Sequence, residues 1–168
     1  MTIAFRSMIP ADRQFVLSGW SSSFRTSRYA GLIRNSRWAD VMHVEFGAMI
    51  DAPSTSVIVA CEPGEVDHEG REFLYGFIVS RTMGTPYVYY CYVKKHYRHP
   101  KPFKIGRKLF AAAGIDPREP FTYAAPTSIA ERILATCTCG RHRNDHACER
   151  FTPKYPGTPD PVPAREDA

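Results

Sequence analysis

Apolar residues in the first fifty positions of the chain recur at helical spacing. One series occupies Phe15–Phe24, and a stronger apolar stripe occupies Asn35–Ile50, with charged residues away from the stripe or at its edge. Both patterns predict amphipathic helices. A short strand is predicted before them at Thr2–Arg6, and Asp12 is expected near the N-cap of the first helix.

The hydrophobic pattern changes from helical to extended after the second predicted helix. Ser56–Cys61 and Glu72–Ser80 are rich in apolar and β-branched residues, and the polar stretch 63–70 between them contains proline and glycine. These features predict an antiparallel hairpin. A third strand is predicted at Tyr87–Val93, which consists largely of tyrosine and valine, and we expect it at the centre of the sheet.

Helical composition returns after the third strand. Lys104–Ala113 is followed by Gly114, a residue typical of the position just after a helix. Phe121–Ala125 predicts a further strand, and Ser128 with Glu131 has the spacing of a capping box that opens a last helix. The element order predicts one α/β (α+β) domain, with a mixed, largely antiparallel sheet flanked by helices.

Length and composition agree with a single domain. The chain has 168 residues, of which 43% are hydrophobic and 23% charged. We expect the domain to occupy residues 1–150, because residues 151–168 are polar, rich in proline and expected to be disordered. No apolar run approaches the roughly 20 residues that cross a bilayer, and the N-terminus lacks signal-peptide features, so a cytoplasmic protein without a membrane partner is expected.

Positive charge is concentrated in one segment, residues 94–108, which contains seven basic residues and no acidic residue. The segment joins the third strand to the following helix, whose first N–H groups have no acceptor within the helix. A basic loop that leads into a helix N-terminus is an anion-binding arrangement. The alternative interpretation is a solvated basic surface. The basic residues are Lys94, Lys95, Arg98, Lys101, Lys104, Arg107 and Lys108.

The order of elements resembles the GNAT N-acetyltransferase superfamily over Thr2–Leu134. The opening strand with Asp12 is similar to the start of that family, and Tyr92–Arg98 followed by Lys104–Leu109 is similar to its central strand, loop and helix. In the family this segment cradles the pyrophosphate of acetyl-CoA. The resemblance therefore implies acetyl-CoA as co-substrate and an acyl-CoA and an amine as partners.

The loop of this chain is longer than the family pattern, because Arg98 precedes Gly106 by eight residues. Pro100 and Pro102 lie between them and supply no N–H donors, so we predict that basic side chains hold the phosphates instead. A GNAT fold that has lost acyl-CoA binding is the alternative. The residues predicted to bind the cofactor are Tyr92, Val93, Arg98, Lys101, Lys104, Gly106, Arg107 and Lys108.

The resemblance also implies direct attack of an amine on the thioester, with neither a covalent enzyme intermediate nor a metal. A backbone N–H near Tyr92 and Val93 would polarise the thioester carbonyl. The acceptor remains open between a polyamine, an amino sugar, a protein lysine and an amine-bearing modified base.

Proton transfer requires a base for the amine and an acid for the leaving thiolate. Glu45 is the predicted base, with His43 and Glu72 as alternatives near the expected acceptor cleft. Tyr123 or Ser128 is predicted to protonate the thiolate, since both lie in or after the last strand.

A non-enzymatic nucleic-acid-binding protein is the alternative function. It would use the basic segment 94–108 for phosphates and the aromatic strand 87–93 for base stacking.

Cysteines and histidines cluster after the last predicted helix. Five possible metal ligands fall within twelve residues, but their spacing differs from the paired Cys-x-x-Cys pattern of zinc sites. We therefore expect no metal. The residues are Cys137, Cys139, His142, His146 and Cys148.

Overall fold

A mixed sheet forms the centre of the molecule. The computed structural model describes residues 2–25, 35–66, 72–81, 84, 86–98, 104–116 and 121–123. Five strands in this part of the chain pair in sequential order, antiparallel except for the parallel pair β4–β5. They are β1 (Ala4–Ser7), β2 (Ser56–Val66), β3 (Glu72–Arg81), β4 (Tyr87–Val93) and β5 (Thr122–Tyr123).

Helices cover both faces of the sheet. Among the described residues these are α1 (Arg13–Phe24), α2 (Trp38–Asp51) and α3 (Ile105–Ala112), with 3-10 turns at Pro10–Asp12, Asn35–Arg37 and Lys95–Tyr97. The α/β class with a mixed, largely antiparallel sheet flanked by helices is therefore confirmed. None of these helices combines the length and the apolar character that a bilayer span requires.

The sheet separates two hydrophobic cores. On one face, Trp20 of α1 and Phe46 of α2 pack against Phe77 of β3. On the other face, Ile105 and Leu109 of α3 are 1% and 0% exposed and pack against β3 and β4. α3 thus packs on the face of the sheet opposite α1 and α2. This packing fixes the N-terminus of α3 beside the end of β4.

The prediction that Tyr87–Val93 is the central strand is wrong. The middle strand is β3, and all residues of Leu74–Ser80 are buried. A strand covered on both faces shows a continuous buried run, whereas β4 mixes buried and half-buried positions. β4 lies between β3 and the short β5.

The first hairpin strand is longer than predicted. β2 continues through Pro63 and Gly64 to Val66, although the sequence indicated a turn there. The register shifts between Glu62 and Val66, and Gly64 has φ +81. A bulge around Gly64 accommodates residues 63–65, which have no partner residue on β3, and pairing resumes at Val66.

Asp12 connects β1 to the start of α1 instead of capping α1 with its side chain. Its carboxylate accepts the N–H of Ile9 at 2.9 Å and the guanidinium of Arg6 at 2.6 Å. Asp12 is 4% exposed, so the pair compensates a buried charge. The prediction that Asp12 lies near the N-cap of the first helix is confirmed, and its side chain binds residues that precede the helix.

Several predictions fall outside the described residues. Of the predicted strand Phe121–Ala125, the structure describes the first three residues and assigns Thr122–Tyr123 to β5. The helix predicted after Ser128, the cluster of possible metal ligands at 137–148 and the proline-rich segment 151–168 all lie beyond that part.

Close approach of β3 and β4 requires the glycine at position 76. A Cβ on Gly76 would lie 2.3 Å from the carbonyl oxygen of Tyr92. The β2–β3 register shifts immediately beside this residue, so that Tyr75 has no partner residue on β2. The bulge directs Tyr75 into the core beneath α3, while Leu74 lies in the other core.

We predict that Gly76→Ala lowers the free energy of unfolding by about 1 to 3 kcal/mol, because the methyl group forces the two strands apart. Urea unfolding followed by circular dichroism measures this change. Gly106→Ala is the control, since among the described residues a Cβ there meets only the Val93 side chain, at 3.9 Å. Equal unfolding midpoints for the two variants would contradict the tight contact at Gly76.

Candidate active site

The described residues of β4 and β5 form two residue pairs. Tyr87 pairs with Thr122 and Val88 pairs with Tyr123. Within the described residues, no strand pairs with the same edge of β4 over residues 89–93. In this part of the chain, the backbone N–H groups on that edge have no strand partner and can bind a ligand.

The register of β3 and β4 identifies the groups that face the free edge. The N–H of Lys94 donates to the carbonyl of Tyr75 at 2.8 Å. Because antiparallel bonding alternates along a strand, the N–H of Tyr92 also faces β3, and the N–H groups of Val93 and Cys91 face away from it. The sequence suggested a backbone N–H near Tyr92 and Val93 for polarising a carbonyl. The N–H of Val93 points toward the free edge and can do so, whereas the N–H of Tyr92 points toward β3.

The tyrosine rings of β4 pack within the core. Tyr90 is 7% exposed and stacks on Trp20, with ring centroids 5.8 Å apart. Tyr92 contacts Phe77 and Phe15 at centroid distances of 5.5 and 6.2 Å. These rings stabilise the packing of α1 on the sheet, so the interpretation of residues 87–93 as a base-stacking surface is not favoured.

A 3-10 turn at Lys95–Tyr97 follows β4 and is anchored by an aromatic contact. The Tyr97 ring meets Tyr75 edge-to-face at 4.7 Å and Phe73 at 6.3 Å. The Tyr75 hydroxyl in turn donates to the carboxylate of Glu62. The turn is thus fixed to β3.

Arg98 lies at the end of this turn and folds over β4. Its Nε donates to the carbonyl oxygen of Val93 at 2.6 Å. Its guanidinium lies 5.5 Å from the centroid of the Tyr92 ring. The alternation that directs the N–H of Val93 away from β3 directs its carbonyl to the same side, so Arg98 occupies part of the free edge.

The N-terminus of α3 brings a second set of donors to the site. The first helical bond runs from the N–H of Lys108 to the carbonyl of Lys104, which leaves the N–H groups of residues 105–107 without an acceptor in the helix. Lys104 has φ +44, a left-handed conformation that is unusual for a residue with a side chain. Arg107 and Lys108 are exposed beside it.

Gly106 connects this helix terminus to the end of β4. Among the described residues, a Cβ at Gly106 would meet only the Cγ2 of Val93, at 3.9 Å. Within the part of the chain that the structure describes, the glycine therefore leaves room for a ligand to approach the backbone of α3 closely. The end of β4 and the N-terminus of α3 are therefore adjacent.

Lys94 is a feature of the site that the sequence pattern did not distinguish from its basic neighbours. Its ammonium lies 4.1 Å from the Phe73 ring centroid and 5.2 Å from that of Phe15. No carboxylate among the described residues pairs with it. Partial burial lowers the pKa of Lys94. The side chain therefore packs between α1 and β3 through cation–π contacts.

Comparison with known proteins shows what this arrangement resembles. No protein-family model and no curated protein sequence matches the chain. A GCN5-related N-acetyltransferase from Rhodopseudomonas palustris superposes with a TM-score of 0.50 at 18% identity, covering 80% of this chain and 80% of that one. A candidate acetyl transferase from Pyrococcus furiosus has a TM-score of 0.51 at 13% identity, covering 76% and 85%. The chain has the GNAT fold.

Within this GNAT fold, most of the predicted cofactor-binding residues come together. Tyr92, Val93 and Arg98 lie at the end of β4, and Gly106 lies against Val93. Lys104, Arg107 and Lys108 belong to the start of α3. Lys101 lies outside the described residues. Their role in binding remains a proposal.

The predicted acid–base residues are less closely grouped. Glu45 is exposed on α2. Tyr123 of β5 pairs through its backbone with Val88 of β4. Ser128 lies outside the described residues.

Of the two alternative bases, Glu72 has a structural partner. Its carboxylate accepts the Nη2 and Nε groups of Arg6 at 2.6 and 3.0 Å. Arg6 also binds Asp12, and the two carboxylates raise the pKa of its guanidinium. Glu72 therefore joins β3 to β1, which weakens its case as a base. His43 is half-buried on α2.

We predict that Tyr97→Ala lowers the free energy of unfolding by about 1 to 3 kcal/mol, because the ring contacts with Tyr75 and Phe73 are lost. Tyr97→Phe retains the ring and is expected to stay within about 0.5 kcal/mol of the wild type. Thermal unfolding of both variants checks this. Equal losses in the two variants would show that the hydroxyl, and not the ring, anchors the turn.

Proposed function

We propose that the chain is an acetyl-CoA-dependent N-acyltransferase that transfers an acetyl group to an amine by direct attack on the thioester. The observation that carries the proposal is the free edge of β4 beside the basic N-terminus of α3. A GNAT fold alone would not establish activity, since one fold supports several functions. The free backbone groups and the open glycine supply the binding features that the activity requires.

The residues present fit the phosphate groups of acetyl-CoA. Arg98, Lys104, Arg107 and Lys108 have no carboxylate partner in the part of the chain that the structure describes. They lie with the free N–H groups of α3 at one end of the sheet, where charge-assisted hydrogen bonds to phosphate are favourable. The open space at Gly106 permits close approach. Basic side chains therefore replace the amides that Pro100 and Pro102 cannot provide.

The edge of β4 fits the extended arm of the cofactor. Acetyl-CoA supplies an acetyl thioester on an arm with two amide groups, which can pair with a strand edge as a peptide does. The N–H of Val93 donates to the carbonyl oxygen placed at this edge. A donor fixed in that position stabilises the charge that develops on the oxygen during attack.

Proton transfer is assigned to the residues that the sequence suggested. Glu45 accepts the proton of the attacking amine, directly or through water, and Tyr123 or Ser128 gives a proton to the sulfur that leaves. The backbone pairing of Tyr123 with Val88 of β4 supports its assignment. The acceptor is an amine of unassigned class.

Calorimetric titration tests the proposal directly. We predict that the wild-type protein binds acetyl-CoA, whereas a single-stranded oligonucleotide binds weakly because the tyrosines of β4 are packed in the core. No heat with acetyl-CoA at millimolar concentration would contradict the activity. Tight binding of the oligonucleotide that falls steeply with salt would favour the nucleic-acid alternative.

We predict that Lys104→Ala and Arg107→Ala each weaken acetyl-CoA binding by about 1.5 to 3 kcal/mol, the contribution of a hydrogen bond to a charged group. Melting temperatures should hardly change, since exposed substitutions usually alter stability by less than about 0.5 kcal/mol. Gly106→Val should also weaken binding, because a branched side chain fills the open space.

Arg37→Ala is the matched control, because Arg37 is an exposed arginine beside α2 and its loss changes the net charge equally. Its acetyl-CoA affinity should equal that of the wild type. The proposed phosphate site at α3 would be contradicted if acetyl-CoA affinity also stayed at the wild-type value in the three variants Lys104→Ala, Arg107→Ala and Gly106→Val.

A further inference from the structure

The carbonyl of Val93 has a partner before any ligand is bound. The free edge of β4 offers an N–H and a carbonyl from this residue, and Arg98 Nε already donates to the carbonyl at 2.6 Å. An acyl donor whose arm pairs with the same edge must compete with Arg98 for that acceptor. The contact therefore lies in the path of the proposed ligand.

The surrounding fold fixes the position of Arg98. The preceding turn is fixed by the Tyr97 ring against Tyr75, and the Arg98 N–H donates to the Lys95 carbonyl at 3.3 Å. The guanidinium also lies over the Tyr92 ring at 5.5 Å. Two contacts from the side chain and one from the backbone hold Arg98 over the strand edge.

Arg98 binds a neutral group although it carries a full positive charge. In the described part of the chain, no carboxylate pairs with it. A hydrogen bond to a carbonyl is weaker than a bidentate bond to phosphate. A ligand that brings phosphate to this end of the sheet therefore offers Arg98 a better acceptor than Val93.

We propose that Arg98 is a specificity-determining residue that closes the edge of β4 against acyl donors without phosphate. A phosphate-bearing donor draws the guanidinium away and frees the Val93 carbonyl for the arm of the ligand. A thioester without the phosphate-bearing nucleotide must break the hydrogen bond between Arg98 and Val93 and offers Arg98 no phosphate in return. This inference rests on the proposed acyl-CoA binding, and it assigns to Arg98 a second role in addition to contact with phosphate.

Two acyl donors separate the roles of Arg98. Acetyl-CoA carries phosphates, and S-acetylpantetheine carries the same thioester arm without them. Arg98→Met keeps an unbranched apolar side chain over Tyr92 but removes the donor to Val93. We expect this variant to bind S-acetylpantetheine about threefold to tenfold more tightly than the wild type, the equivalent of one hydrogen bond. We expect its acetyl-CoA affinity to fall, so that its preference for acetyl-CoA drops at least tenfold.

Lys95→Met is the matched control, because Lys95 is exposed in the same turn and its replacement by methionine removes the same charge as Arg98→Met. Its affinity for the uncharged S-acetylpantetheine should not change. The inference is overturned if Arg98→Met leaves S-acetylpantetheine affinity unchanged or weakens it, or if both variants tighten it equally. Failure of the wild type to bind acetyl-CoA would instead overturn the proposed function, and this inference with it.

A measurement on the wild-type protein avoids dependence on the variant's folding. The Nε–H resonance of Arg98 should be protected from solvent exchange in the free protein. Saturation with acetyl-CoA should shift it, since its acceptor changes from a carbonyl to a phosphate. An Nε–H resonance that is unprotected in the free protein, or that does not respond to acetyl-CoA, would overturn the inference.

Discussion

Unequal pairing of the two edges of β4 is the constraint on which the site depends. One edge is paired with β3 along the strand, and the described residues pair with the other edge only at Tyr87 and Val88, through β5. Backbone groups that have no partner within the fold are rare in a buried sheet because they cost free energy. Among the described residues, no strand pairs with the N–H groups of Val93 and Cys91, which lie beside a helix N-terminus whose first N–H groups have no acceptor in the helix. The Val93 carbonyl on the same edge is held by Arg98. A ligand with amides and phosphates is complementary to this edge and to the helix N-terminus.

The rest of the structure keeps this edge in place. Gly76 allows β3 to approach β4, and the bulge beside it directs Tyr75 into the core beneath α3. Tyr75 then supports Tyr97, and Tyr97 fixes the turn from which Arg98 returns to the strand edge. Packing of Ile105 against the sheet sets the position of the α3 N-terminus. Side chains in the core thus determine where polar groups meet the ligand.

Much of the fold follows from the sequence because its hydrophobic periods are clear. The apolar stripe of α2, the β-branched residues of β2 and Gly114 after α3 each specify a local structure, and each is found near its predicted place. The order of elements also indicated the GNAT fold. The central position of β3 was missed because a strand's neighbours depend on tertiary pairing, which the alternation within one strand does not encode.

Only part of the site could be predicted from the sequence. The charge run indicated an anion-binding helix terminus, and Gly106 indicated close approach. The direction of the Val93 N–H depends on the register with β3, and the Arg98–Val93 bond depends on the anchored turn, neither of which a residue pattern reveals. The salt bridge of Glu72 with Arg6 likewise joins residues 66 positions apart.

Hydrogen exchange of the β4 amides tests the central claim most directly. Protection measured with and without saturating acetyl-CoA should increase at Val93 and Cys91, whose N–H groups face the free edge. The amides of Tyr90 and Tyr92 should stay as they are, because they already face β3. Equal exchange rates at Val93 and Cys91 with and without the ligand would show that the free edge of β4 does not bind the acyl donor.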